Sequence, residues 1–253
     1  MERGLTLHVE VFPDPSGVVR ALANRIVKAA EEAVARSGRF ALAISGGATP
    51  EPLFDLLGDS YYPKLPWTKT DLFWVDERAV APDDPRSNFG AARRRMAPVF
   101  QADAARIHRI RGEADLPEHA ADEYERELHR FFGKAPPGES KTFDLLLLGI
   151  GPDGHTASLF PGSPALEERT RWVRAVPAAS RDPRVARITL TLPAIDAARE
   201  VAFLVTGADK SRVVRRILFE HGPDPAPWPA ARVRPQGPLR WYLDRAAAGE
   251  PPR

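Results

Sequence analysis

The sequence predicts an α/β fold, a parallel sheet with helices on both faces. Short apolar segments closed by glycine or polar turns alternate with helix-like stretches over most of the 253 residues. The most informative of them is Phe143 to Ile150, too short for a long helix and broken by Asp144 and Gly149. Such a run reads as a strand buried on both faces, the kind found in parallel sheets. It ends in the bend Gly149, Gly151, Pro152, Gly154, which holds Asp153 and His155. Ligands of open parallel sheets gather beyond the carboxyl ends of the strands, so His155 is placed for chemistry.

The elements follow in order. Leu5 to Phe12 alternates apolar and polar positions, as a half-buried first strand does. Ser16 is placed to cap a helix running to Ser37, with Gly38 as its stop signal and Val18, Leu22, Ile26, Ala29, Ala30, Ala33 and Val34 as its apolar face. Phe40 to Ser45 and Leu72 to Val75 are strands, each followed by a polar turn. Pro82 to Asn88 is a polar loop leading to a helix that carries Arg93, Arg94 and Arg95. Arg106 to Ile110 reads as a strand and Pro117 to Phe132 as a charged surface helix. Trp172 to Val176, Ile188 to Leu192 and Val201 to Val205 are further strands, and the last turns through Thr206-Gly207 into a helix from Ala208 to Phe219. Gly222 to Pro238 is proline-rich and irregular, and Leu239 to Ala248 is expected to close the chain as a helix. There is no internal repeat and no long linker; the Pro/Gly segment near Pro136 is short. The whole chain, 1–253, is expected to form one domain.

Composition narrows the function class. With 43% hydrophobic and 28% charged residues the chain is ordinary for a soluble globular protein. A net charge of +2 argues against a nucleic-acid partner. No apolar run reaches the roughly 20 residues that span a bilayer, and His8 and Glu10 interrupt any signal-peptide core, so a cytoplasmic protein is expected. Without cysteine there is no disulfide framework, thiol nucleophile or Cys-type zinc site. No His/Asp/Glu set has recognisable metal-ligand spacing, so no metal is expected.

Four strand ends carry polar or glycine-rich turns: Ser45 to Thr49, Asp76 to Arg78, Gly149 to His155, and Thr206 to Lys210. Parallel strands would bring all four to one edge. Ser45-Gly46-Gly47-Ala48-Thr49-Pro50 is shaped for an anion, because paired glycines let the backbone approach a ligand and turn N–H groups inward. Thr49 is expected to cap the next helix with Pro50 in its first position. Pro50 and Pro52 lack N–H groups, so an anion there would rely on loop amides and the Ser45 and Thr49 hydroxyls; the alternative is a plain tight turn. Lys210 near a helix N-terminus opposes the macrodipole at a cost of about 0.3–1 kcal/mol, which a bound anion would reverse. Arg78 either joins that anion or pairs with Asp76 or Glu77. His155 is the candidate general base, since an ordinary imidazole is largely neutral at pH 7. Asp153 either orients its ring or binds a substrate hydroxyl.

The segments SGGATP, VDER followed by RSNFG, GIGPDGHTASLFPG and VTGADK, in this order, resemble those of the 6-phosphogluconolactonase family, and LRWYLDRAA is similar to that family's C-terminal helix. The match spans Phe40 to Ala247. GIGPDGHTASLFPG is its most specific part, whereas SGGATP and VDER are shared with related sugar-phosphate enzymes. Ala48 stands where a serine is common. The resemblance implies a modified Rossmann-like α/β fold and hydrolysis of 6-phospho-D-glucono-1,5-lactone without metal or organic cofactor. It implies His155 as general base, substrate contacts from Gly46, Gly47, Thr49, Arg78 and Lys210, and Asp76 and Asp153 nearby. The expected partner is therefore a small phosphorylated sugar lactone, with the protein a monomer or small homo-oligomer.

Two rivals differ in sequence. A glucosamine-6-phosphate deaminase/isomerase shares SGG-T-P and DGH, but resembles DGH followed by Asn-Glu-Pro-Gly, whose glutamate assists ring opening. Here Thr156 to Gly162 contains no carboxylate. A sugar-phosphate sensor has no need of His155 beside Asp153, and no helix-turn-helix precedes the first strand. Arg86, Asn88 and Arg93 to Arg95 are placed either to reach the pocket or to face solvent.

Overall fold

The computed structural model describes residues 6–101, 106–133, 142–178, 184–219 and 228–249; the Pro136 segment and part of the 222–238 stretch lie outside them. The first half of the chain forms β1 (Leu7–Phe12), α1 (Pro15–Ser37), β2 (Phe40–Ile44), α2 (Glu51–Gly58), β3 (Thr70–Trp74) and β4 (Asp76–Arg78). Then come α3 (Asn88–Arg95), α4 (Ala97–Gln101), β5 (Arg106–His108), α5 (Pro117–Phe132) and β6 (Leu145–Leu148). The remainder is β7 (Val173–Val176), β8 (Arg187–Leu190), α6 (Leu192–Asp196), β9 (Val201–Val205), α7 (Ser211–Leu218), β10 (Leu239–Asp244) and α8 (Arg245–Ala248).

Seven strands form one sheet in the order β1-β10-β9-β6-β2-β3-β5, every neighbour parallel. All residues of β2, β3, β6 and β9 are buried. That burial explains why β2, β6, β9 and the Leu72–Trp74 part of β3 read as continuous apolar runs rather than alternating ones. A second, antiparallel sheet, β4-β8-β7, holds the segments 76–78, 173–176 and 187–190. The expected turn at Asp76 to Arg78 is thus a strand, because its backbone pairs with Thr189, Ile188 and Arg187.

The expected apolar face of α1 is buried at Val18, Leu22, Ile26, Ala29, Ala30 and Ala33, with Val34 partly covered. Its cap is Asp14, not Ser16. The Asp14 carboxylate accepts from Gly17 N at 2.8 Å and from the Ser16 hydroxyl at 2.6 Å, a stronger acceptor placed two residues earlier. Gly38 ends the helix in the left-handed region at φ 76°. α5 is charged on its outer side yet buries Ala120, Ala121, Tyr124 and Leu128. The Tyr124 hydroxyl accepts from Trp74 N at 3.1 Å and donates to Trp74 O at 2.9 Å, tying α5 to the end of β3.

The expected closing helix is mostly a strand. Leu239, Trp241 and Leu243 alternate with Arg240, Tyr242 and Asp244, and β10 runs between β1 and β9. Trp241 stacks on Phe203 at 4.1 Å, Tyr242 on Phe12 at 6.3 Å, and Arg240 reaches Glu200 at 2.9 Å. Cross-strand aromatic packing overrides the helical spacing of Leu239, Tyr242 and Leu243. Only Arg245–Ala248 is helical. Among the described residues no helix is long and apolar enough to cross a membrane.

At the β5 edge, His108 lies between two carboxylates, 3.1 Å from Asp71 and 2.7 Å from Glu127, and stacks on Phe73 at 4.3 Å. Burial pulls its pKa down, but the hydrogen bonds to Asp71 and Glu127 outweigh burial and raise it to about 9. The folded chain therefore holds a proton that the unfolded chain releases near pH 6.5. This stabilisation is complete below that pH and is lost as pH rises through about 9. Urea denaturation of wild type and His108→Gln should show a stability gap at pH 6 that narrows by pH 10; a pH-independent gap would contradict the charged imidazole.

Candidate active site

The carboxyl ends of β2, β3, β6 and β9 open on one cavity of about 220 Å³. Ser45, Gly46, Gly47 and Thr49 line it from the end of β2, and Gly149, Gly151, His155 and Thr156 from the end of β6. Lys210, beyond β9, and Asp76 and Arg78, on β4, complete the set expected from sequence. Asp153 stands behind His155 and touches its ring.

After β2 the chain turns through Gly46, whose Cα faces the Asn88 side chain. A Cβ there would lie 1.9 Å from Asn88 Oδ1, so only glycine permits the approach. The Ser45 hydroxyl donates to Leu147 O at 2.8 Å, which ties β2 to β6 and commits that proton. Thr49 does not cap α2. Pro50 is the cap residue and no side chain caps the helix, while Glu51 N bonds to Ala48 O at 3.3 Å. With Pro52 in the first turn, few donors remain on the helix itself, and Gly46 and Gly47 of the preceding loop line the cavity.

After β6 the chain folds tightly, with Gly154 N bonding to Gly151 O and Gly151 N to His155 O, both at 2.9 Å. The imidazole lies over Gly151, where a Cβ would come within 2.1 Å of the ring. His155 Nδ1 is 2.5 Å from Asp153 Oδ1, and the Phe160 ring is 4.8 Å from the imidazole. With Nδ1 donating to the carboxylate, the lone pair resides on Nε2, a ready proton acceptor. Ala230 N donates to Gly154 O at 3.0 Å, and Trp228 packs on Gly154, bracing the loop from outside.

Lys210 closes a 3₁₀ turn, Ala208 to Lys210, before α7, and its ammonium pairs with Asp209 at 2.7 Å. The turn is anchored by Asp244, whose carboxylate accepts from Gly207 N at 3.1 Å and caps α8 through Ala247 N at 2.7 Å. Asp244 was hidden in sequence by the expectation of a helix over Leu239 to Ala248.

The β4 side is organised by a buried carboxylate. Glu77 accepts from Asn88 N at 2.7 Å, Arg78 N and Phe89 N at 2.8 Å, and the Ser87 hydroxyl at 3.0 Å. Burial raises its pKa, against the lowering effect of these four donors. It lies at the N-terminus of α3, where the helix dipole favours a negative charge. This clamp fixes Asn88, whose Nδ2 donates to Asp76 O at 2.9 Å, and Asp76 in turn accepts from the Ser158 hydroxyl at 2.7 Å. Arg78 donates to Arg86 O at 2.5 Å. Arg78 Nε and Asn88 Oδ1 are buried without a hydrogen-bond partner among the described residues, and both residues line the cavity.

Asn88 therefore reaches the pocket, whereas Arg86 pairs with Asp84 at 2.7 Å and Arg95 with Asp55 at 2.7 Å, neither of them lining the cavity. Arg93 lies over Phe89, and Arg94 is likewise not a lining residue. Arg187 was not anticipated. It starts β8 directly opposite Arg78, lines the cavity and is 6% exposed. It precedes an ordinary apolar strand, which gave no sequence signal. Among the described residues no cluster of three or more His, Asp or Glu is arranged to hold a metal.

The profile of the family described as glucosamine-6-phosphate isomerases/6-phosphogluconolactonase matches residues 13–241. The chain is 39% identical over 242 residues to a 6-phosphogluconolactonase of Nostoc sp., covering 96% of this chain and 97% of that one. It is 43% identical over 216 residues to a 6-phosphogluconolactonase of Synechocystis sp., covering 85% and 86%. The solved structure of 6-phosphogluconolactonase from Trypanosoma brucei superposes with a TM-score of 0.85 at 29% identity, covering 97% of this chain and 99% of that one.

The Glu77 clamp yields a prediction that needs no substrate. Glu77→Gln keeps the shape but turns an amide N–H₂ toward groups that are themselves donors. It should lower the unfolding free energy by about 1–3 kcal/mol in urea titrations at pH 7. An unchanged midpoint would mean that the four contacts do not hold the loop.

Proposed function

The chain belongs to the glucosamine-6-phosphate isomerase/6-phosphogluconolactonase family, and on that premise we propose that it hydrolyses 6-phospho-D-glucono-1,5-lactone to 6-phosphogluconate. This is the second step of the oxidative pentose phosphate pathway, and we place it in the cytoplasm. The reading rests on one juxtaposition: the His155–Asp153 pair faces the same cavity as Gly46, Gly47 and Lys210. Three cationic side chains, Arg78, Arg187 and Lys210, line that cavity against one carboxylate, Asp76. Such an excess suits a phosphorylated substrate.

In the proposed mechanism the phosphate lies on the Gly46 and Gly47 amides with Lys210 and Thr49 beside it, and Ser45 holds the loop to β6. The lactone carbonyl lies toward His155. Nε2 takes a proton from water as the water oxygen bonds to the carbonyl carbon, and the carbonyl electron pair moves onto its oxygen. Collapse of that intermediate breaks the bond to the ring oxygen, which takes the proton back from the imidazolium. The resulting carboxylic acid ionises and releases one proton to solvent. Asp153 keeps the imidazole in one tautomer and stabilises its charged form. Arg78 and Asp76 contact the sugar. General base catalysis contributes about 10²–10⁴-fold, or roughly 3–5 kcal/mol, sufficient for an activated ester. Isomerisation with loss of ammonia would need a further proton-transfer group, and the segment Thr156 to Gly162 supplies no carboxylate.

Proton release on adding freshly made 6-phosphogluconolactone, compared with unphosphorylated gluconolactone, tests the function. The phosphorylated lactone should be strongly preferred and activity should survive EDTA; ammonia release from glucosamine 6-phosphate in place of lactone hydrolysis would overturn the reading. His155→Ala should lose about 10²–10⁴-fold in kcat while still binding 6-phosphogluconate, and a wild-type rate would remove His155 from the mechanism. Lys210→Ala should chiefly raise KM, and an unchanged KM would exclude it from the phosphate site.

A further inference from the structure

Arg187 is the charged lining residue that the mechanism above leaves without a task. It is an arginine at 6% exposure, directly across the β4–β8 pair from a second arginine, Arg78. Like charges in that relation destabilise a strand pair, and removing a guanidinium from water adds to the cost. Burial lowers its pKa, nearby Asp76 raises it and Arg78 lowers it again. A negative charge arriving with the substrate would be drawn to this guanidinium pair, as the Asp76 carboxylate is.

Two features indicate which end of the substrate that charge belongs to. In the proposed mechanism the phosphate has partners in the glycine loop and Lys210, which follow β2 and β9 of the large sheet, whereas Arg187 belongs to the small sheet. Phe160 also links Arg187 to the reacting centre: its ring lies 4.8 Å from the His155 imidazole and 5.4 Å from Arg187 Cζ. Both groups pack against one aromatic ring, which places the guanidinium on the His155 side of the cavity.

We propose that Arg187 is a catalytic residue of the lactonase reaction, its guanidinium facing the lactone carbonyl oxygen and, after ring opening, the product carboxylate. This role rests on the lactonase reading. As water adds to the carbonyl carbon and His155 takes its proton, the carbonyl electron pair collects on the oxygen beside Arg187. No bond to Arg187 forms or breaks; its N–H groups are set toward the charge before it develops, on a guanidinium itself largely withdrawn from water. The planar fork of arginine also matches the two oxygens of the carboxylate that follows.

The test compares wild type, Arg187→Gln and Arg187→Lys in the proton-release assay and in calorimetric binding of 6-phosphogluconate and sorbitol 6-phosphate, which lacks the carboxylate. Arg187→Gln should lose about 10²-fold in kcat with KM nearly unchanged, and should bind 6-phosphogluconate about tenfold more weakly with sorbitol 6-phosphate unaffected. Arg187→Lys, which keeps the charge but not the fork, should fall between. Equal weakening of both ligands would make Arg187 a phosphate contact and overturn the proposal, as would an unchanged kcat. Should Arg187→Gln not fold, Arg187→Lys decides alone: a clear loss of kcat at an unchanged Tm supports the role, and a wild-type kcat overturns it. A wild type inert toward the lactone would instead sink the underlying function, which separates the two failures.

Discussion

The site depends on the parallel pairing of β6 between β2 and β9. β6 is only four residues, Leu145 to Leu148, all buried. Because β2, β3, β6 and β9 run the same way, the glycine loop, the histidine loop, the lysine turn and the β4 strand emerge on one edge. In an antiparallel arrangement neighbouring strands would send their loops to opposite edges, and the β2 and β6 loops could not share a ligand. The register matters as much as the direction, since a slip of one residue would exchange the two faces of the strand. The Ser45 hydroxyl on Leu147 O pins that register where β2 ends.

A second constraint comes from polar groups that are buried and satisfied. Glu77, Asp76 and Asp244 are each at most 5% exposed, and each binds backbone or side-chain donors at the rim of the cavity. Buried carboxylates are costly unless their hydrogen bonds are made. Each therefore specifies one arrangement of its loop: Glu77 that of Asn88, Asp76 that of Ser158, and Asp244 that of the turn before Lys210. Gly46 and Gly151 complete the arrangement by leaving room for Asn88 and His155. The groups that line the cavity are thereby held by the protein's own contacts, the condition under which fixed dipoles stabilise developing charge most effectively.

Much of this was legible in the sequence because the signals are local. An apolar run closed by glycines marks a buried strand whether or not its neighbours are known, and so β2, β6, β9 and their loops were found together with His155, Gly46 and Lys210. Signals that depend on distant partners were not legible. Leu239–Asp244 reads as helix in isolation because the partners of its aromatic residues, Phe203 and Phe12, are far away in the chain. Asp76 to Arg78 reads as a turn because its pairing partner lies beyond residue 186. Arg187 was missed for the same reason, since only the β4–β8 pairing brings it to the cavity. Even the first helix cap was misassigned: two acceptors, Asp14 and Ser16, stood close together, and the carboxylate won.

The central claim is that one cavity holds the phosphate at the glycine loop and Lys210 and the reacting carbon at His155. A crystal structure of the complex with 6-phosphogluconate tests it most directly. The account predicts phosphate oxygens at hydrogen-bond distance, about 2.7–3.2 Å, from the Gly46 and Gly47 amides and Lys210 Nζ, with the carboxyl carbon facing His155 Nε2. A ligand bound in the reverse sense, with its phosphate against Arg187, or bound outside the cavity altogether, would contradict it.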